Sequence, residues 1–191
     1  MSTININFKS KFVFIGFMMR KKYIRESWIS QKVEVKDSNF HGKGLFAKEN
    51  IAEGEIVVVW GGNFVSESEA RKAKEEGKAI QQIDEFLWEV FDYTARNDDP
   101  SYNHNHSCDP NAWMKDEVTI IARRAITQGE ELTIDYAMFV LDEDYKLPSE
   151  CKCGTNLCRH IVTGRDWQLS DLQKRYKHHF NPLLNKRIKK K

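Results

Sequence analysis

Long apolar runs are missing from this chain. The run that comes nearest, Phe12-Val13-Phe14-Ile15-Gly16-Phe17-Met18-Met19, has eight residues, whereas a bilayer-spanning helix needs about 20. No membrane segment is expected. No small-residue cleavage site follows the run; Arg20-Lys21-Lys22 does. A secretory signal is therefore not expected, and the protein reads as intracellular, cytoplasmic or nuclear. An excess of one charge is missing as well. The net charge is +2, which by itself says little about nucleic acid. Cysteine is scarce, with four residues, and without an export signal an oxidising compartment is not expected. Apolar residues are not scarce: 40% of the chain is hydrophobic and 12% aromatic, which excludes disorder. A chain of 191 residues suits one domain with a small appendage, able to bury roughly 70% of its unfolded surface.

The pattern along the chain is that of a mostly β, α+β protein. Residues 1–27 read as a leader; the apolar run in it is a strand, a loosely ordered segment, or the stretch before a start at Met18 or Met19. Val33-Glu34-Val35 alternates like a half-buried strand. Gly42, Gly44 and Ala47 match G-x-G-x-x-A, a dinucleotide pattern only where it opens a helix. Here it runs into a turn at Ile51–Glu55 and a strand over Ile56–Trp60, so the glycines mark a bend or bulge. An internal echo supports this. Ala47 to Glu55 and Ala122 to Glu130 share A-[K/R]-x-x-I-x-x-G-E, which reads as two similar strand-turn-strand units. Between them Ser66, Glu69 and Gly77 predict a capped, charged surface helix. Gln81 to Tyr93 suits more strand. Near the end, Ser170 to Gln173 resembles a helix start, and Leu172 to Phe180 reads as a short helix stopped before Pro182. The chain ends Lys186-Arg187-Ile188-Lys189-Lys190-Lys191. Such a tail is expected to be a solvated end, with nucleic acid as the partner it would suit.

The densest chemistry lies in Asn105-His106-Ser107-Cys108-Asp109-Pro110-Asn111. Amide, imidazole, hydroxyl, thiol and carboxylate follow one another with no apolar residue between. A polar surface turn reads the same way. The stretch, however, carries one of the four cysteines, and Gly129-Glu130-Glu131-Leu132-Thr133-Ile134-Asp135-Tyr136 follows it. Cys108, Cys151, Cys153 and Cys158 could hold one tetrahedral zinc, form two disulfides in one of three pairings, or remain free. Their C-x-C-x4-C tail is not the usual C-x2-C knuckle.

The two stretches together resemble the signature of the SET-domain protein lysine methyltransferases, over about Val33 to Trp167. The resemblance implies a β-rich SET domain (a β-clip with a pseudo-knot) over residues 28–140, and a zinc-binding post-SET tail, short helix and basic end over 141–191. It implies S-adenosylmethionine as methyl donor, touched by the main chain of Lys43, Gly44 and Leu45 and held by Asn105 and His106. It implies structural Zn2+ on Cys108, Cys151, Cys153 and Cys158, and Tyr136 as the catalytic residue. The acceptor would be a lysine of a protein, histone-like or other. The competing reading is a catalytically weak, zinc-stabilised SET module that binds protein or nucleic acid. Two departures stand out. Trp60-Gly61-Gly62 stands where the family often has Tyr-x-Gly, and Ser101-Tyr102-Asn103-His104 stands where an Arg-aromatic pair is frequent.

Methyl transfer needs a neutral amine in line behind the methyl carbon. A free lysine has a pKa near ~10.4, so a narrow dry channel must favour its neutral form, and fixed positioning lowers the entropic barrier. The residue two before the tyrosine governs product number in the family. Ile134 stands there and, unlike tyrosine, cannot anchor a crowding water. With Ile134 and Trp60 forming the amine pocket, di- or trimethyl-lysine is expected.

Overall fold

The computed structural model describes residues 23–190. The run Phe12–Met19 lies outside them. In chain order the strands are β1 (Trp28–Ile29), β2 (Val33–Asp37), β3 (Lys43–Ala47), β4 (Ile56–Val59), β5 (Asn63–Val65), β6 (Ala79–Asp84), β7 (Leu87–Phe91), β8 (Asn105–His106), β9 (Ala112–Met114), β10 (Thr119–Ala122) and β11 (Glu131–Ile134). The helices are α1 (Glu67–Glu75), α2 (Tyr93–Asp98), α3 (Ser170–Arg175) and α4 (Pro182–Lys189). The strands form three small sheets, ordered β1-β4-β10-β9, β2-β3-β11-β8 and β5-β7-β6. The mostly β, α+β expectation holds. The strand after Gly44 also removes the helix that a dinucleotide site would need.

The echo noticed in the sequence is paired with itself. Ile51 and Ile126 exchange both backbone hydrogen bonds at 2.9 Å, while Gly54 N donates to Ala122 O and Gly129 N to Ala47 O. Swapping the two copies leaves this pattern unchanged, so they meet about a local pseudo-twofold axis. Gly54 and Gly129 have φ of 81° and 84°, a left-handed conformation that a Cβ would strain. Glu55 and Glu130 each accept from a backbone N–H of their own turn, Ala52 and Thr127. The second copy runs directly into β11, and so fixes where Tyr136 emerges.

One apolar core joins β3, β4, β10 and β11 to the C-terminal region. Leu45, Val57, Val58, Ile120 and Leu132 pack in it with Trp167, Leu172, Tyr176, Phe180 and Leu184. Helix α1 starts as predicted: Ser66 Oγ accepts from Glu69 N, and the Glu69 carboxylate accepts from Ser66 N at 2.8 Å. The strand expected over Gln81–Tyr93 is the hairpin β6–β7, and the chain then turns into α2. The C-terminus departs from expectation. Ser170 is the first residue of α3 and gives no side-chain cap. The basic end is not a free tail, because Pro182–Lys189 is helical with Leu183 and Leu184 buried. Pro182 starts this helix because its fixed φ and missing N–H suit a first turn, and the Asn181 side chain caps it by accepting from Leu183 N at 2.8 Å. Lys186 is tied to Glu85 at 3.1 Å.

Candidate active site and thiol cluster

The polar stretch 105–111 is buried except for Asp109, not a surface loop. Asn105, His106, Ser107 and Asn111 are each less than a tenth exposed, which polar groups tolerate only when partnered. Strand β8 lies parallel to β11, with Asn105 opposite Thr133 and His106 opposite Ile134. Asn111 then acts as an extra rung. Its Nδ2 donates to Glu131 O at 2.8 Å and Glu130 Oε1 at 2.9 Å, and its Oδ1 accepts from Thr133 N at 2.9 Å. His106 Nδ1 accepts from Tyr136 N at 3.2 Å, which assigns the ring proton to Nε2, 3.3 Å from Cys108 Sγ. Burial pulls the His106 pKa down to about 4, against the charge of Asp135, so the ring is neutral near pH 7.

Tyr136 opens a single 3-10 turn, Tyr136–Met138, that Asp135 caps by accepting from Ala137 N at 3.0 Å. Its hydroxyl donates to His104 O at 3.1 Å. Burial pushes its pKa well above the usual tyrosine value, so it keeps its proton. The ring meets His104, His106, Phe139 and Tyr145 edge-on. It forms part of the wall of an open groove of about 790 Å³ bounded by α1, β6–β7 and residues 136–145. Trp88, Phe91, Tyr93, Tyr102, Phe139 and Tyr145 make this groove strongly aromatic. Trp60 lines an adjoining cavity of about 140 Å³ that shares Tyr102, His104 and Phe139 with the groove. Its ring stacks on Tyr102 at 6.0 Å and lies 5.2 Å from His104. Ile134 is 1% exposed, within the core. Lys43–Leu45 is the first half of β3, beside β11. Asn105 joins it to this region by donating to Lys43 O at 3.0 Å.

The four thiols meet although they come from two segments. Cys108, Cys151, Cys153 and Cys158 place their Sγ atoms within 4.8 Å of one another, and none is in a disulfide. Tetrahedral zinc with bonds of about 2.3 Å spaces its sulfurs by about 3.8 Å, and Cys108 Sγ lies 3.9 Å from Cys151 Sγ. The donor set and its dimensions fit zinc. Burial pushes the Cys108 thiol up to about 11. Burial also acts on Cys153, but hydrogen bonds to Thr155 and to backbone N–H groups bring its thiol down to about 6.

A buried ionic network ties this cluster to the tyrosine turn. Asp135 is fully buried. It is gripped in a fork by Arg159 Nη1 and Nη2 at 2.7 and 2.8 Å, and it accepts from Tyr176 Oη at 3.0 Å. Arg159 Nε donates to Asp166 at 2.9 Å, and its backbone N–H reaches Cys108 Sγ at 3.3 Å. Burial opposes the Arg159 charge, yet Asp135 and Asp166 hold its proton more firmly than water does. Arg175 at the end of α3 and Tyr176 just after it clamp Cys108 O at 2.8 and 3.2 Å. The sequence signals no role for Asp135, Arg159 or the aromatic groove, and it marks Tyr176 for core packing alone. Arg159 stands next to a cysteine already singled out, but nothing in its neighbours signals a partner 24 residues away.

A mostly β domain with this motif pair and cysteine cluster belongs to the SET-domain family: the family's model matches residues 42–137. Among curated proteins, the chain is 33% identical over 157 residues to Histone-lysine N-methyltransferase 2B of Homo sapiens, covering 75% of this chain and 6% of that protein. It is 33% identical over 157 residues to Histone-lysine N-methyltransferase trithorax of Drosophila virilis, covering 75% and 4%. It is 34% identical over 134 residues to Histone-lysine N-methyltransferase set-2 of Caenorhabditis elegans, covering 64% and 9%. The chain thus spans less than a tenth of each of these relatives. Among the described residues no helix is long and apolar enough to cross a membrane.

Proposed function

We propose that this chain transfers methyl groups from S-adenosylmethionine to the side-chain amine of lysine in a protein. The observation that carries the reading is the half-buried Tyr136 on the wall of an aromatic groove, with Asn105 and His106 on the strand paired with β11, which leads into it. Bound S-adenosylmethionine supplies an electrophilic methyl on a sulfonium. Lys43, Gly44 and Leu45 offer main-chain contacts to it. Glycine is needed at 44 because a Cβ there would overlap the Glu131 carboxylate. Asn105 and His106 hold the donor from β8. The acceptor lysine sheds its proton to solvent before transfer, since only the neutral amine carries a lone pair for the methyl carbon. Tyr136 stays protonated and is therefore no general base. Its hydroxyl donates to His104 O, which leaves its oxygen to accept an N–H and aim the amine's lone pair. The proposed substrate is histone-like, after the names of the relatives, and a nuclear location would suit it. Incubation with labelled donor and a cell lysate, followed by mapping of the labelled residues, tests the reading. Label on lysine supports it; label absent, or on other residue types only, refutes it.

Product number is proposed from Ile134, which lies in the core two residues before Tyr136 and not on the groove wall. At saturating donor and long times we expect di- and trimethyl-lysine on a preferred peptide, because Ile134 has no hydroxyl to anchor a water against the amine. Mass spectrometry reads this directly. A product that stops at monomethyl, and advances only after Trp60→Phe, would show that the tryptophan sets the limit.

Zinc would be held by Cys108, Cys151, Cys153 and Cys158, pinning residues 151–158 to the polar stretch. The purified protein is expected to carry one zinc per chain after dialysis. Cys151→Ser should destabilise the fold, since structural metal binding is folding free energy. Four titratable thiols without metal would count against the site.

A further inference from the structure

The amide of Asn105 is held in one orientation, and the group that holds it is Glu131. Both N–H bonds of its Nδ2 are used, one by Lys43 O at 3.0 Å and one by Glu131 Oε1 at 2.7 Å. An amide nitrogen has two donors and no acceptor, so these contacts distinguish it from Oδ1 and leave the oxygen as the group to face a ligand. The Glu131 carboxylate is itself fixed. Ser38 Oγ lies 2.9 Å from each of its oxygens, and it rests against the bare backbone of Gly44, where a Cβ would overlap it. No donor contact assigned above to Lys43, Gly44, Leu45, Asn105 and His106 is made by Glu131.

We propose that Glu131 is a positioning residue for the methyl donor: it locks the Asn105 amide so that Oδ1, an acceptor, is presented to the donor's α-ammonium. The inference rests on the donor site proposed above. Without Glu131 the amide is free to flip, and half of its orientations present an N–H to a cation. A charged hydrogen-bond partner is worth enough to shift affinity by about 10-fold or more.

Calorimetry with S-adenosylhomocysteine, alongside methyl-transfer kinetics, tests this. Glu131→Ala is expected to weaken analogue binding about 10-fold or more and to raise the KM for the donor. The KM for peptide and kcat at saturating donor should stay near wild type. Glu131→Gln keeps an acceptor and should bind within about 3-fold of wild type. Asn105→Asp places acceptors against Lys43 O and Glu131 and should bind poorly. Adding Glu131→Gln to it returns a donor to the pair and should recover affinity, a coupling that a double-mutant cycle measures. If the wild-type chain does not bind the analogue, the donor site is wrong and this inference falls with it. If the wild-type chain binds it and folded Glu131→Ala binds equally well, or if Asn105→Asp is not rescued, the inference alone is overturned.

Discussion

Tyr136→Phe is expected to bind S-adenosylhomocysteine as the wild type does and to lose turnover by about 100- to 1,000-fold, the cost of removing one preorganised polar contact from a transition state. The fold should tolerate the change. The ring keeps its edge contacts with His104, His106, Phe139 and Tyr145, and only the hydroxyl's bond to His104 O is lost. That carbonyl then lacks one partner, a cost of about 1–3 kcal/mol in stability at most. The discriminating signature is a fall in kcat with little change in the KM for donor, as for a contact made only in the transition state. Wild-type kcat in a folded Tyr136→Phe chain would remove Tyr136 from the chemistry.

Arg159→Met should cost about 3–5 kcal/mol of stability, because it strands a buried carboxylate. Asp135 is fully buried, and without the guanidinium it keeps only Tyr176 Oη and Ala137 N as donors. The loss also severs the side-chain strap from the tyrosine turn to Asp166, while the backbone N–H to the Cys108 sulfur remains. Arg159→Met with Asp135→Asn removes the stranded charge and should be more stable than Arg159→Met alone, a non-additivity expected of groups in direct contact. Urea unfolding of the four chains measures both quantities. A single variant within about 1 kcal/mol of wild type, or purely additive effects, would show that the network does not hold the turn.

Much of this protein is decided by its sequence alone. The paired motifs at 105–111 and 129–136 carry the family, and the echo of Ala47–Glu55 in Ala122–Glu130 carries the β-rich plan, because turn chemistry and alternation are local properties. The capping box of α1 was legible for the same reason: Ser66 and Glu69 meet within one helical turn. The four thiols could be counted, but spacing alone left zinc, disulfides and free thiols open, and only the fold brings their sulfurs within 4.8 Å. Tertiary structure decided the rest. The basic end became α4 because Leu183 and Leu184 find the core, a gain that no local pattern of lysines announces. Asn105 and Asn111 became interior because β11, Glu130 and Glu131 satisfy their amides from 19 or more residues away. Arg159 and Tyr176 reached Asp135 across gaps of 24 and 41 residues. A buried charge is tolerated only where distant partners converge on it, and convergence is a property of the fold.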